Sequence, residues 1–244
     1  MSRLLILIQG ELQRLTKYHV TTISFLVTLI WFLLLYFIDD SQVLAMLLPF
    51  VIIIDATMMS IIFIGSIMFF EKTESTFSTM LVTPVTNQEM ILSKTIANTI
   101  HSFISCMAII IIFHLVKGVD VAWFYVAIAL ILSIAFHSLL GFAFAFHSKD
   151  FTSMLVNVMI YNFLFLIPTA LNFFNIVLKG EIWEHVLLIA PTQAAVKLIQ
   201  VGFGEPLALK SIIAFLILLV GGILGYRYYI LPKFKAYAVK QSGV

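Results

Sequence analysis

An all-α integral membrane protein is the fold class this sequence predicts, on three observations. Apolar residues make up 62% of the 244 and charged residues only 11%, against about a quarter charged in a soluble domain. The apolar residues gather into about six runs, each long enough to cross a hydrocarbon core roughly 30 Å thick. Lysine and arginine are divided unevenly between the two sides that those runs define. The mean hydropathy of +1.11 agrees.

Residues 1–21 precede the first run and read as an amphipathic helix. Leu5, Ile8, Leu12 and Leu15 recur at helical spacing, with Gln9, Glu11, Gln13 and Arg14 elsewhere around the helix. Such a helix lies in the membrane interface with its apolar face in the headgroup boundary. Spans follow at 22–38, 43–70, 96–116, 121–146, 154–178 and 211–231. An even number puts both termini on one side. Of the 14 basic residues, only Lys117, Lys179, Lys197 and Lys210 fall on the other, so the terminal side is read as cytoplasmic. The acidic loop at Asp39 and Asp40 then faces outward. No small-residue cleavage pattern follows the first run, which reads as an uncleaved anchor. Cys106 is the single cysteine, so no intrachain disulfide forms. The net charge of +2 gives no reason to expect a nucleic-acid partner.

Between the second and third spans lies the one polar segment built to meet something in water, residues 71–94. It reads as a short amphipathic helix, a Thr83-Pro84 break and a fresh helix start. Pro84 has no backbone N–H and drives Thr83 out of the α region. Thr86 and Glu89 have the spacing of a capping box. A helix laid along the membrane face and joined to two spans can transmit force. On the far side, residues 179–210 are too apolar to float free. They read as two short helices that dip into the outer leaflet and return, with Thr192 as an N-cap.

Within the spans a few polar residues need reasons. Asp55 sits near the middle of the second span, where an ionised carboxylate costs at least about 2.5–3.5 kcal/mol. Met59 and Ser66 share its helical face. In the fifth span Asn157, Tyr161, Pro168, Asn172 and Asn175 form one polar stripe, and Pro168 marks a kink. The alternative for each is an ordinary interhelical hydrogen bond, worth about 0.6 kcal/mol. His137 lies at a depth that would allow a pair with Asp55. Runs of small residues at Gly141–Ala145 and Gly221–Gly225 permit close helix contacts. Arg227, among Tyr226, Tyr228 and Tyr229, reads as an interfacial anchor. An intramembrane hydrolase is disfavoured, because Ser133 and Ser138 flank His137 on one helix without facing it. No His-Glu-x-x-His motif is present, and no glycine-rich lysine loop to cradle phosphates.

The amphipathic leader, six spans, the Glu71-Lys-Thr-Glu-Ser-Thr loop running into Leu81-Val-Thr-Pro-Val-Thr-Asn-Gln-Glu89, and the outer Ala190-Pro-Thr region together resemble the ABC-2 type transporter permeases. More narrowly, the chain resembles drug-export permeases of Gram-positive bacteria. The resemblance covers essentially all of residues 1–244 as one permease domain. It implies that the loop after the second span is a coupling helix docking on a separate ATP-binding subunit. Glu71, Glu74, Thr83, Pro84 and Glu89 would then lie in or beside the docking element. Ser75 and Ser78 stand where the family commonly has glycine and an acid. The resemblance also implies that the second and fifth spans line the path, making Asp55, Met59, Ser66, Asn157, Tyr161 and Asn172 its candidate residues. The expected function is ATP-driven export of a hydrophobic or amphipathic substrate across a bacterial plasma membrane. The chain itself would be no enzyme and would bind no cofactor or metal, with ATP and magnesium on the partner. A second permease copy or paralogue and membrane lipid complete the expected partners. A non-transporting scaffold, immunity or sensory subunit on the same fold is the alternative left open.

Overall fold

The computed structural model of the chain describes residues 3–74, 76 and 83–241. It is 85% helix, with no strand among the described residues. Helix α1 (Arg3–Lys17) meets α2 (Val20–Tyr36) through a 65° bend. His19 makes the bend with φ 58, a left-handed conformation that histidine tolerates better than most residues. At 17 residues α2 is near the lower limit for a span. The interfacial reading of α1 needs one correction. Leu15 packs with Val20, Phe63 and Ile67 and is buried, while Leu5 stays exposed, so its C-terminal half docks on protein. Glu11, four residues before Leu15 and therefore on the same face, is buried as well.

The second span is continuous over Ser41–Thr73 but changes pitch in the middle. It consists of α3 (Ser41–Ile54), a π-helical turn (Asp55–Met59) and α4 (Ser60–Thr73). Asp40 caps its start, accepting from the Gln42 and Val43 amides at 2.8 and 3.2 Å. Carbonyls loosened at the wide turn find side-chain donors. Thr57 donates to Ile53 O and Ser60 to Ala56 O, both at 2.7 Å. This span is 72% buried within the chain, against 17% for the last one, so it is the central strut.

Helix α5 (Asn87–Lys117) starts at the expected capping box. Glu89 N donates to Thr86 Oγ1 at 3.2 Å and Thr86 N donates to Glu89 Oε2 at 2.8 Å. It stops at Gly118, whose φ of 67 suits glycine. Helix α6 (Trp123–His147) lies against α4 so closely that a Cβ on Gly141 would come 2.8 Å from Ile61 O. The small-residue run thus brings two backbones together.

The fifth span, Phe151–Phe173, comprises α7 (Phe151–Tyr161), a π-turn (Asn162–Leu166) and α8 (Ile167–Phe173). Pro168 cannot donate a backbone bond, and the widened turn just before it absorbs the defect. The span ends at Phe173 rather than at 178, because Asn175 turns to φ 56. The single polar stripe therefore does not hold. The π-turn rotates the second half of the span against the first, and Asn175 leaves the helix.

On the far side α9 (Glu181–Leu187) and α10 (Pro191–Gly202) are bent by 119°, as in a broken span or a re-entrant loop. Thr192 is not the N-cap. Ala190 holds that position, Pro191 is the first helical residue, and Thr192 is buried behind it. The last span, Leu209–Phe234, runs through α11 (Leu209–Gly225) and a π-turn (Tyr226–Ile230) into α12 (Leu231–Gln241). One core of Leu48, Ile52, Ile110, Phe113, Leu130 and Ile199 lies toward the far side. A second, of Ile64, Met68, Ile91, Phe142 and Phe234, lies toward the termini. The amphipathic helix expected before Thr83 falls mostly on residues 75 and 77–82, outside the described residues.

Candidate functional site

Four ionisable side chains meet where α1 crosses the end of α4 and the start of α5. Lys94 and Glu71 are both 0% exposed, and Glu11 is 3% exposed. Lys94 Nζ donates to Glu11 Oε1 and Oε2 at 2.9 and 3.0 Å and to Glu71 Oε1. Arg14 Nη1 reaches Glu11 Oε1 at 2.6 Å and Glu71 Oε1 at 2.9 Å. Two acids and two bases cancel, which is what allows Glu11, Glu71 and Lys94 to be buried, with Arg14 at the rim, its side chain 29% exposed. Glu71 therefore faces inward, toward Lys94, rather than outward.

The same helix is fastened at both ends. Lys17 Nζ donates to both Glu74 oxygens at 2.9 Å, and the Tyr18 hydroxyl donates to Glu74 Oε2 at 2.7 Å. The Tyr18 hydrogen bond, and then Lys17, hold the Glu74 carboxyl below its ordinary range. At the other end Arg3 Nη1 donates to Pro84 O at 2.7 Å and lies 3.8 Å from Glu89. Glu74, Thr83 and Pro84 are exposed and Glu89 partly so. Helix α1 thus clasps both borders of the 71–94 segment.

The candidate path residues are not gathered in one place. Asp55 is buried against α5, where the Cys106 thiol donates to its Oδ2 at 3.4 Å. It does not pair with His137. A carbonyl only accepts, so His137 donates from Nδ1 to Ser133 O at 2.7 Å and accepts the Tyr161 hydroxyl at Nε2, 3.1 Å away. Met59 packs at the elbow of α1 and α2, and Ser66 spends its hydroxyl on Ile62 O at 2.8 Å. Asn172 lies toward the far side, donating to Leu178 O at 2.7 Å and accepting from Gln193 at 3.0 Å. Asn98 ties three helices, donating to Ser60 O at 3.3 Å and Ser138 Oγ at 2.8 Å.

Of the six, Asn157 and Tyr161 line one cavity together. It is a groove of about 440 Å³ lined by Ala143, Phe144, His147, Asn157, Ile160, Tyr161, Leu164, Phe165 and Tyr229. Its wall is apolar along Ile160 and Leu164, both more than half exposed. Asn157 is anchored by donating to Ser148 Oγ at 3.0 Å. At the terminal-side mouth, Tyr229 stacks on His147 with ring planes 9° apart, and Lys233 stands beside both.

The family model for ABC-2 type transporters matches residues 2–203. The chain belongs to that family. No curated protein is similar enough to match it. This ABC-2 permease is therefore a multi-pass membrane protein and the transport subunit, not itself catalytic, of a family that generally works with an ATP-binding ABC subunit. The matched region takes in α1, the 71–94 segment and the groove wall on the fifth span, and stops after α10.

Two parts of the permease site escaped the sequence reading. Lys94 counted only as a topological charge, and Glu11 only as polar surface. The available signal was that each stands within or beside an apolar run, where a lone charge needs a partner. The mouth of the groove joins His147 to Tyr229 and Lys233 across 82 and 86 positions, and no spacing rule reaches that far.

Proposed function

We propose that this permease is the membrane half of an ATP-driven exporter, with both termini in the bacterial cytoplasm. A separate ATP-binding subunit docks at the 71–94 segment. The observation that supports this reading most is the clasp of α1 on both borders of that segment, through the largely buried Glu11–Arg14–Glu71–Lys94 cluster. A force applied at the segment reaches the first, second and third spans together. Glu74, Thr83, Pro84 and Glu89 make the docking contact, while Glu71 acts from behind by holding the end of α4 to α5.

ATP and magnesium belong to the partner, which closes on ATP and shifts the clasped unit. A second copy or paralogue of the permease completes the path, and the groove holding Asn157 and Tyr161 receives a hydrophobic or amphipathic substrate. The test is purification of the tagged permease from its native membrane in mild detergent. A stoichiometric ATP-binding subunit should co-purify, and Glu74→Ala with Pro84→Ala should lose it while the protein stays inserted. Unchanged co-purification and transport in that variant would remove the coupling assignment. No ATP-binding subunit across several detergents would turn the reading to a non-transporting scaffold.

A further inference from the structure

We propose that the groove between α6, the fifth span and the sixth-span π-turn binds one anionic lipid, with its acidic headgroup on Lys233 and Tyr229 and an acyl chain along Ile160 and Leu164. The inference deepens the exporter reading and rests on it only in making such a lipid the class of substrate.

The mouth of the groove carries more donors than acceptors. His147 Nδ1 donates to Ala143 O at 2.7 Å, which leaves one imidazole lone pair, on Nε2. Two donors compete for it, Lys233 Nζ at 3.3 Å and the Tyr229 hydroxyl at 3.1 Å. Lys233 also donates to the Tyr229 oxygen at 3.2 Å. An ammonium group has three N–H bonds and a phenol one O–H, so donors remain that the cluster itself cannot absorb. Among the described residues no carboxylate forms a salt bridge with Lys233. An anion supplies what is missing, through charge-assisted hydrogen bonds.

The rest of the groove selects the kind of anion. Below the mouth it is lined by Ala143, Phe144, Ile160, Leu164 and Phe165, with no charged side chain on the wall. Free phosphate would satisfy Lys233 and leave this wall without a partner. A zwitterionic lipid would cover the wall and offer its phosphate, but would bring its own ammonium beside that of Lys233. An acidic headgroup on an acyl chain meets both demands, and the mouth lies at the end of α6, where headgroups sit.

The experiment measures binding to the permease purified in mild detergent, by native mass spectrometry and thermal shift. The probes are phosphatidylglycerol, phosphatidylcholine with identical chains, and inorganic phosphate. One phosphatidylglycerol per chain should bind and raise the Tm, with neither other probe doing so. Lys233→Gln with Tyr229→Phe should weaken it about tenfold, the loss expected for a charge-assisted hydrogen bond. Arg227→Gln, on the same helix outside the groove, should not. Leu164→Trp, which fills the groove and spares the mouth, should also weaken binding.

Equal binding of the two lipids, or equal loss in Arg227→Gln, would overturn the proposal. So would a disulfide between two chains through Leu164→Cys without any lipid effect, since it would assign the groove to a second copy. No step requires the ATP-binding subunit. Lipid binding by a permease with which no ATP-binding subunit co-purifies from the native membrane would sink only the exporter reading, and co-purification without lipid binding would sink only this site.

Discussion

Replacing Lys94 by methionine tests the buried cluster most directly. The change keeps an unbranched stem of similar length and removes the charge. Three hydrogen bonds are lost, to Glu11 Oε1 and Oε2 at 2.9 and 3.0 Å and to Glu71 Oε1. Two carboxylates then share Arg14 alone, and the cluster carries a net negative charge. Truncating one partner of a buried ion pair costs about 3–5 kcal/mol. Arg14 still touches both acids and its side chain is 29% exposed, so the lower end applies, about 3 kcal/mol. At roughly 2–4 °C per kcal/mol for chains of this size, the Tm falls by about 6–12 °C.

Fluorescence-detected size exclusion after heating in detergent reads this, with Lys17→Met as control, since its partner Glu74 is at the surface. The double variant Lys94→Met with Glu71→Gln restores neutrality, leaving Glu11 with Arg14, and should recover more than half of the loss. A shift in Lys94→Met no larger than in Lys17→Met would refute the argument. So would a double variant as unstable as the sum of its singles, because net charge would then not be what the cluster balances.

Other substitutions follow from the same structure. The Glu74 carboxyl is held below 4.5 by Tyr18 and Lys17, and such a group contributes stability that is complete above 4.5 and lost as pH falls through its lowered value. The Tm advantage of wild type over Glu74→Gln should therefore be present at neutral pH and vanish on acidification; a constant difference through the acid range would contradict this. Gly141→Val should cost at least about 1–3 kcal/mol, because its Cβ would meet the Ile61 carbonyl at 2.8 Å and backbone cannot step aside. Folded yield from membranes reads that change, and a normal yield would show that α4 and α6 separate freely. Asp55→Asn keeps an acceptor for the Cys106 thiol and removes the cost of a buried charge, so the Tm should not fall. A large loss of transport at unchanged Tm would instead give the carboxylate a place in the path.

Much of the fold was legible because each span carries its own signal. An apolar run of sufficient length must close its backbone hydrogen bonds within itself, so 96–116 and 121–146 read directly as α5 and α6. The Thr86–Glu89 capping box needs only residues three apart, and it formed as expected. Where local chemistry competed, the sequence misled. Thr192 looked like a cap, yet Pro191 suits the first helical position, and the break moved to Ala190. The stripe from Asn157 to Asn175 assumed one uninterrupted pitch. Pro168 and the π-turn before it broke that assumption, and Asn175 took a left-handed turn.

By itself the sequence determined that the chain is a helical membrane protein, where most of its long apolar helices lie and where the helix after Thr86 begins. These depend on hydropathy, helical periodicity and capping, all properties of neighbouring residues. Only the tertiary structure decided that Glu71 turns inward to Lys94 and that Glu11 is buried. It alone placed Asp55 with Cys106 rather than His137, and His147 with Tyr229 and Lys233. Pairings of this kind depend on the rotation of one helix against another. That rotation is set by close contacts such as Gly141 on Ile61 and shifted by π-turns, and neither leaves a periodic mark in the chain.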